Sequence, residues 1–245
     1  MVKNNTDNNG GGNIFVVIVA AGSGTRFGAD MPKQFLPLAG KPVLMHTVEA
    51  FRNALPEAEI ILVLSATGME IWEELCREHG FDSPAVVEGG SSRSESVSRA
   101  LDAIASAEGS ANAIVLVHDG ARPLAHPLMV RRVADAVRRP GIEAAMPVLP
   151  LTDALASDDG DFCIPADRAA FCAAQTPQAF RFGMLREAYA RAAGKAMADD
   201  AAIAATYAGA RILKVPGYAQ NIKITHPSDI AIAEIYLANP APYKG

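Results

Sequence analysis

Apolar runs and amphipathic stretches alternate along most of the chain. Continuous apolar runs occupy residues 14–20, 60–64 and 114–117, and a weaker run follows at residues 144–148. Unbroken hydrophobicity, as opposed to strict alternation, is typical of strands that are buried on both faces, as they are in a parallel sheet. The four runs therefore predict buried strands of a mostly parallel sheet.

The intervals between these runs have the periodicity of helices. Pro42 can occupy the first turn of one helix, and Ser228 begins another near the end of the chain. Ser92 and Glu95 have the spacing of a capping box at the start of a third helix. The residues predicted to share the apolar faces of these helices are Leu44, Val48, Phe51, Leu55, Val97, Ala100, Leu101, Ile104, Ile230, Ala233 and Leu237. This order of strands and helices predicts an α/β fold, a doubly wound and mostly parallel sheet with helices on both faces.

One segment, residues 151–168, interrupts the alternation. It is polar, it lacks a helical period, and it contains Asp159-Gly160, a dipeptide that often forms the turn of a β-hairpin. A hairpin arm that leaves the core and a long surface loop both fit this pattern. The sequence pattern alone does not choose between them.

The length of 245 residues fits one large domain or two small ones. Residues 1–12 are polar and rich in Gly and Asn, which predicts a flexible tail to which we assign no function. The continuous α/β pattern that follows indicates a single domain over residues 13–245.

Charge and cysteine content exclude several classes of protein. The net charge of −5 argues against a nucleic-acid coat and against a polybasic membrane binder, although one local pocket can still hold an anionic ligand. The longest apolar run is too short to span a membrane. The three cysteines form no C-x-x-C motif, which fits a reducing compartment, and we expect a cytoplasmic protein.

The segment after the first predicted strand has the strongest chemical signal. Gly22 and Gly24 would let backbone N–H groups approach a phosphate, because no Cβ intervenes, and Arg26 and Lys33 add two cations. In a doubly wound sheet this loop lies at the carboxyl ends of the strands, where ligands bind. An anion site is the favoured interpretation, and a tight turn with two solvated cations is the alternative.

Two familiar phosphate-binding loops do not match this segment. Phe27 occupies the position at which both the P-loop and the dinucleotide-binding fingerprint require a glycine. The second predicted strand also ends without the acidic residue that would hold a ribose, since Leu64 is followed by Ser65 and Ala66. A dehydrogenase is therefore disfavoured.

Two further motifs follow predicted strands. Gly90 and Ser96 belong to a Gly-Gly segment that leads into the capped helix. Its backbone donors and acceptors would suit hydrogen bonds to the edge of a nucleotide base. The alternative is an ordinary turn followed by a helix cap. Asp119 ends the third buried strand, and a lone carboxylate there suits Mg²⁺ held jointly with phosphates. Arg122 would contact ligand or neutralise Asp119. His118 is expected to be a packing residue, because no second His or Cys lies at metal-binding spacing.

Near the end of the chain, residues 221–225 alternate. This pattern predicts a strand that buries Ile222 and Ile224 and exposes Asn221, Lys223 and Thr225. A single exposed lysine on a strand is usually just solvated, so by itself the segment carries no function.

Taken in order, seven motifs resemble one family. The motifs A-A-G-x-G-x-R, P-K-Q, G-G-x-x-R-x-x-S-V, V-H-D-x-A-R-P, D-R, T-P-Q and N-I-K-x-T are similar to those of 2-C-methyl-D-erythritol 4-phosphate cytidylyltransferases, over residues 14–237. The resemblance implies a Rossmann-like nucleotidyltransferase fold and transfer of CMP from CTP to methylerythritol phosphate. Pyrophosphate would be released, and the product would enter the non-mevalonate isoprenoid pathway.

The resemblance also implies residue roles. Arg26 and Lys33 would stabilise the transition state at the α-phosphate, and Arg168 and Lys223 would position the acceptor phosphate. Asp119 would lie near Mg²⁺. The residues that would hold CTP or contact the acceptor are Ala20, Ala21, Gly22, Gly24, Gly90, Ser96, Ala121, Arg122, Thr152 and Thr176.

The family is homodimeric, and an arm of one subunit completes the partner's site, which would give residues 151–168 a role. Ser91, Ala198 and Gln220 depart from the residues common at these positions. The last two bear on the acceptor, so ribitol 5-phosphate stays open as an alternative acceptor. A non-catalytic nucleotide-binding regulator is the alternative outside the enzymes.

Overall fold

The computed structural model describes residues 13–22, 31–193, 195 and 197–243, and the predicted tail lies outside them. In chain order the strands are β1 Ile14–Val19, β2 Pro37–Leu38, β3 Lys41–Pro42, β4 Glu59–Leu64, β5 Ala85–Glu88, β6 Ile114–Asp119, β7 Ala144–Pro150, β8 Leu155–Asp159, β9 Phe162–Ala166, β10 Cys172–Ala174, β11 Gln178–Arg181 and β12 Ile212–Pro216. The α-helices are α1 Val43–Ala54, α2 Ala66–His79, α3 Arg93–Ala105, α4 Pro127–Arg138, α5 Phe182–Ala192, α6 Asp200–Ala208 and α7 Ser228–Ala238.

An eight-stranded mixed sheet has the strand order β10-β7-β11-β6-β1-β4-β5, with β12 beside β7. Strands β6, β1, β4 and β5 are parallel neighbours, and β12 is parallel to β7. The predicted doubly wound, mostly parallel sheet is confirmed. Strands β10 and β11 add antiparallel pairings that the sequence pattern did not indicate.

Helices cover both faces of this sheet, which explains why the strand sequences are apolar throughout. On β1, Val16 and Ile18 pack in a core that includes buried residues of α1, α2 and α4. Phe15 and Val17 point the other way, into a core with α3, α5 and α6. None of the helices in the described part of the chain is long and apolar enough to cross a membrane.

The predicted helices form with small corrections at their ends. Pro42 is the residue before α1 and not part of its first turn. Ser92 caps α3, since its Oγ accepts from Glu95 N at 3.1 Å, but the capping box is incomplete. The Glu95 carboxylate instead accepts from the N–H and the hydroxyl of Ser91, each at 2.8 Å. Helix α7 begins at Ser228 as predicted.

Residues 151–168 hold a hairpin, so the arm is correct and the plain loop is not. Strands β8 and β9 are antiparallel, and Asp159 pairs with Phe162. The turn residues are therefore Gly160 and Asp161, one position later than the Asp-Gly signal indicates. Gly160 has a φ of +69°, which glycine adopts without a Cβ clash. Phe162 and Ile164 are 78% and 56% exposed on this arm.

Candidate active site

A cleft of about 510 Å³ opens at the carboxyl ends of the parallel strands, where ligands bind in open α/β sheets. The predicted site residues that line it are Ala20, Ala21, Gly22, Lys33, Gly90, Ser96, Asp119, Ala121 and Lys223. Arg122 and Thr176 contact Asp119 from behind the cleft wall. Gly24 and Arg26 lie outside the described residues.

Two glycines let the loops after β1, β5 and β6 pack together at the bottom of the cleft. A Cβ on Gly120 would lie 2.8 Å from the Cβ of Ala20, and a Cβ on Gly89 would lie 2.6 Å from the Cβ of Ala21. Contacts this short do not occur between real Cβ atoms, so neither position has room for a side chain. Ala20 and Ala21, which follow β1 directly, are thus packed closely against the loops after β6 and β5.

Lys33 reaches the cleft from a single 3₁₀ turn, Lys33–Phe35. The next residue, Gln34, is buried, and its Nε2 donates to Ala20 O at 2.7 Å and to Gly22 O at 3.1 Å. Phe35 is also buried. The P-K-Q motif therefore combines a cation that faces the cleft with an amide that anchors the end of β1. Sequence reasoning assigned no role to Gln34.

Asp119 lies among three cations. Its Oδ2 is 3.0 Å from Lys223 Nζ and 3.4 Å from Arg122 Nε, and its Oδ1 is 3.8 Å from Arg93. Burial alone would raise the pKa of this carboxyl, but the charges of Lys223, Arg93 and Arg122 hold it well below its usual range. Asp119 is therefore ionised. Of the two roles left open for Arg122, the structure shows the ion pair with Asp119.

Arg93 is a residue of the cleft that sequence reasoning missed. Its guanidinium makes a bidentate pair with Asp200, at 3.0 and 2.7 Å, and Asp200 is fully buried. The hydroxyl of Tyr189 donates to the same carboxylate at 2.5 Å. Arg93 stands in the G-G-x-x-R motif, and Asp200 belongs to the acidic pair after Ala198, but no local pattern indicated that they meet.

A hydrogen-bonded chain fixes the backbone of Asp119. Its N–H donates to Thr176 Oγ1 at 3.1 Å, and this hydroxyl lies 3.0 Å from His118 Nδ1. His118 Nε2 lies 3.0 Å from Arg122 O, a carbonyl that can only accept, so Nε2 carries the proton and Thr176 donates to Nδ1. Burial lowers the pKa of His118 to about 4. The prediction of a packing histidine is confirmed.

Residues 221–225 form no strand, which corrects one prediction. Asn221 is fully buried and not exposed, while Lys223 is exposed and Ile224 is buried as predicted. The reason is a turn: Asn221 N donates to Tyr218 O at 2.9 Å, and the side-chain amide then donates to Thr176 O at 2.8 Å.

Thr152 and Arg168 lie at the base of the arm. Both are exposed, and Arg168 donates a hydrogen bond to the carbonyl oxygen of Thr152. Neither lines the cleft of its own chain. The structure thus separates the two residues predicted to position the acceptor phosphate, Arg168 and Lys223.

The oxygen ligands that the cleft offers to a divalent cation centre on the carboxylate of Asp119. Among the described residues, no group of three or more His, Cys, Asp or Glu side chains lies together. Asp119 is an ionised carboxylate on the cleft wall, so it would share a cation with bound phosphates and not enclose it. This is the usual way in which proteins hold Mg²⁺, and the residues present fit it.

A mixed, mostly parallel α/β sheet with a cationic, glycine-lined cleft at the carboxyl ends of its parallel strands is typical of nucleotide-binding proteins, nucleotidyltransferases among them. Residues 14–239 match the model of the IspD family, 2-C-methyl-D-erythritol 4-phosphate cytidylyltransferase. The chain belongs to this family.

Named relatives and solved structures agree with this assignment. The chain is 42% identical to the 2-C-methyl-D-erythritol 4-phosphate cytidylyltransferase of Cereibacter sphaeroides, over 90% of this chain and 95% of the relative. It is 38% identical to that of Porphyromonas gingivalis, over 90% and 96%. The crystal structure of the Thermus thermophilus cytidylyltransferase superposes with a TM-score of 0.70 at 34% identity, over 91% and 98% of the two chains.

Proposed function

We propose that this protein transfers CMP from CTP to 2-C-methyl-D-erythritol 4-phosphate. The products are 4-diphosphocytidyl-2-C-methyl-D-erythritol, a precursor in the non-mevalonate isoprenoid pathway, and pyrophosphate. The observation that supports this best is that Lys33 and the Lys223–Asp119 pair line one cleft, in a chain of the IspD family. A site that only bound a nucleotide would not require this set of charges.

The reaction needs no general base. An acceptor phosphate has a second pKa near ~6 and is largely dianionic at neutral pH, so its oxygen attacks the α-phosphorus directly. A new P–O bond forms, the bond to the β-phosphate breaks, and pyrophosphate leaves with the electron pair. The difficulty is to bring one anion onto another, which the site's cations must offset.

Lys33 and Arg26 are proposed to stabilise the charge that develops on the α-phosphate. Lys223 and Arg168 are proposed to position the acceptor phosphate. In the free protein Asp119 holds the ammonium of Lys223 at 3.0 Å, which keeps a flexible side chain at the cleft wall. Asp119 would also hold Mg²⁺ together with the phosphates; the ion, when bound, neutralises phosphate charge.

The Gly-Gly segment is proposed to read the cytosine. Ser96 is 1% exposed, and its Oγ accepts from Gly90 N at 3.1 Å and donates to Ser92 O at 2.8 Å. Ser96 therefore shapes the backbone of Gly90. Because the N–H groups of Gly89, Gly90 and Ser91 already bond Leu64 O, Ser96 Oγ and Glu95, the segment would contact the base through carbonyl oxygens. Ala20, Ala21, Gly22 and Gly24 would cradle the phosphates of CTP. Ala121, which lines the cleft, would border the bound substrates, and Thr152 would reach the partner's cleft together with Arg168. Thr176 would act through the N–H of Asp119, which donates to its hydroxyl.

The arm is proposed to make the protein a homodimer. Phe162, Ile164 and Phe171 are large apolar side chains that are 78%, 56% and 56% exposed, and a second copy of the chain would cover them. Arg168 lies at the base of this arm, away from its own cleft, so it would serve the partner's cleft. We propose a second copy of the chain, CTP and a sugar-alcohol phosphate as partners, and neither nucleic acid nor a membrane. The unpaired cysteines fit a cytoplasmic location.

Ribitol 5-phosphate is the alternative acceptor, and one observation weakens it. Gln220, a departure that raised this alternative, binds Asn239 O and Ala241 N with its amide. Its side chain is therefore engaged away from the cleft. Gln220 would therefore not contact the acceptor itself.

Release of pyrophosphate from CTP in the presence of Mg²⁺ tests the proposal. Methylerythritol phosphate and ribitol phosphate are compared side by side, each with and without the metal. We expect release with methylerythritol phosphate, and much less with ribitol phosphate. Release with ribitol phosphate alone would favour the alternative acceptor. Binding of CTP without release in either arm would mean a regulator.

A further inference from the structure

The last described residues of the chain, 239–243, lie against the turn that precedes Lys223; we call them the C-terminal strap. We propose that this strap positions Lys223, and that Gln220, Tyr218 and Tyr243 are positioning residues for the reaction. The inference rests on the proposed role of Lys223 in holding the acceptor phosphate.

Gln220 joins the turn to the strap with both ends of its amide. Its Oε1 accepts from Ala241 N at 2.9 Å, and its Nε2 donates to Asn239 O at 3.1 Å. The hydroxyl of Tyr218 lies 2.6 Å from the same Oε1 and 2.7 Å from Ala241 O. An amide, which accepts on one side and donates on the other, fits this position. A carboxylate offers no proton to Asn239 O.

Aromatic residues anchor the strap to the rest of the fold. The hydroxyl of Tyr243 donates to Pro216 O at 2.7 Å, at the end of β12. Its ring is stacked on His126, with centroids 5.4 Å apart, and the guanidinium of Arg132 lies 5.2 Å from the ring centroid. The ring of Tyr218 packs against the same His126 at 5.0 Å. The strap is therefore held at its end as well as at Gln220.

The other side of the turn is held by groups of the site. Gln175 Oε1 accepts from Tyr218 N, and its Nε2 donates to Tyr218 O, each at 3.0 Å. Arg122, which pairs with Asp119, donates to Asn221 O at 2.8 Å. The turn thus lies between the strap and the cleft, and Lys223 leaves it two residues after Asn221.

This arrangement matters because a lysine has a long, flexible stem. Asp119 fixes only the ammonium group, at 3.0 Å, and that contact must change when an acceptor phosphate competes for the charge. The position of the backbone at Lys223 then decides where the ammonium can reach. Misplacement of a substrate-positioning group by about 1 Å can cost on the order of 10²-fold in rate. Because Lys223 is proposed to hold the acceptor phosphate, a change in the strap should affect binding of the acceptor and not of the nucleotide.

Gln220→Glu tests the proposal with a change of one functional group, and Tyr243→Phe tests the far anchor. Asn112→Asp is the matched control: it makes the same amide-to-acid change at an exposed residue outside the strap and the turn. Two readouts are used, the KM values for both substrates and hydrogen–deuterium exchange of residues 217–225 and 239–243.

Loss of one hydrogen bond of ordinary strength lowers a binding constant about tenfold. Gln220→Glu should therefore raise the acceptor KM about tenfold. Tyr243→Phe, which acts at the far end of the strap, should raise it less. The KM for CTP should stay unchanged, and exchange should become faster in both segments. The proposal is overturned if Gln220→Glu matches Asn112→Asp in acceptor KM, or if residues 239–243 loosen while residues 217–225 stay protected. A wild-type protein that releases no pyrophosphate would refute the proposed function, and the exchange data would still decide whether the strap controls the turn.

Discussion

Arg93 and Asp200 form a bidentate ion pair although 107 residues separate them, with N–O distances of 3.0 and 2.7 Å. The pair joins the first residue of α3, at the cleft, to the first residue of α6. Because Asp200 is fully buried, Arg93 and the Tyr189 hydroxyl are what compensate its charge. The second carboxylate near Arg93 is Asp119, at 3.8 Å. The pair thus connects the cleft to the core.

Asp200→Asn should be strongly destabilising, since it breaks a buried pair and leaves Arg93 with less compensation. We expect a loss of about 3–5 kcal/mol in the free energy of unfolding, measured by urea denaturation. Glu187→Gln is the control: its pair with Arg191 is 58% exposed on both sides and should contribute less than about 1 kcal/mol. If the two variants lost the same free energy of unfolding, burial would not determine how much the Arg93–Asp200 pair contributes to stability.

Lys33→Ala should lower turnover and leave the fold intact. Removing one preorganised donor of charge stabilisation costs roughly 3–4 kcal/mol, which is ~10²–10³ in turnover. The measurement is the steady-state rate of pyrophosphate release, with thermal unfolding to check the fold. Lys41→Ala is a suitable control, since Lys41 pairs with Glu49 outside the cleft. A Lys33 variant that works within a few-fold of the wild type would remove the proposed role.

Lys223→Ala should mainly raise the KM for the acceptor phosphate. The ammonium lies at the cleft wall beside Asp119, and its proposed partner is the acceptor and not the nucleotide. The KM values for CTP and for the acceptor are measured separately, with Lys214→Ala, on the exposed side of β12, as the control. The role is wrong if the affinity for CTP falls and the acceptor KM does not.

Thr176→Val tests the chain that fixes Asp119. Valine keeps the shape but leaves the N–H of Asp119 and Nδ1 of His118 without their partner, and Thr176 is only 5% exposed. An unsatisfied buried group costs about 1–3 kcal/mol, so the urea midpoint should fall accordingly. Thr176→Ser retains the hydroxyl and should keep most of the stability. If both variants lose the same stability, the contribution of Thr176 comes from packing of its methyl group and not from its hydrogen bonds.

The sequence was informative where one local pattern determines the structure. Unbroken apolar runs predicted β1, β4 and β6, because each strand is covered on both faces. The same topology then placed Lys33 and Asp119 at one edge of the sheet. By contrast, β11 has four residues, and its antiparallel place between β6 and β7 depends on partners far along the chain.

Contacts between distant residues could not be predicted in this way. Nothing near Arg93 indicates Asp200, because the pair forms only when α6 packs against α5, and α5 against α3. Alternation predicted an exposed Asn221, and this was wrong because the rule assumes a strand, whereas the backbone turns between Tyr218 and Asn221. The role of Gln34 was missed for a similar reason, since its partners are backbone carbonyls of another segment.

The dimer proposal makes a prediction about mixed subunits. At an acceptor concentration below the KM of the variants, Arg168→Ala and Lys223→Ala should each be poorly active alone. If Arg168 serves the partner's cleft, a dimer with one subunit of each kind contains one cleft in which both residues are intact.

Random mixing makes half of the dimers mixed, and each has one intact cleft of two, so roughly a quarter of wild-type activity should return. The two variants are unfolded and refolded together, and separately refolded samples combined just before the assay are the control. If Arg168 acted in its own chain, both clefts of a mixed dimer would lack one residue and no activity would return. Recovered activity therefore indicates that Arg168 acts in the partner's cleft, and absence of recovery indicates that it acts in its own. The first outcome is expected, because Lys223 lines the cleft of its own chain and Arg168 does not.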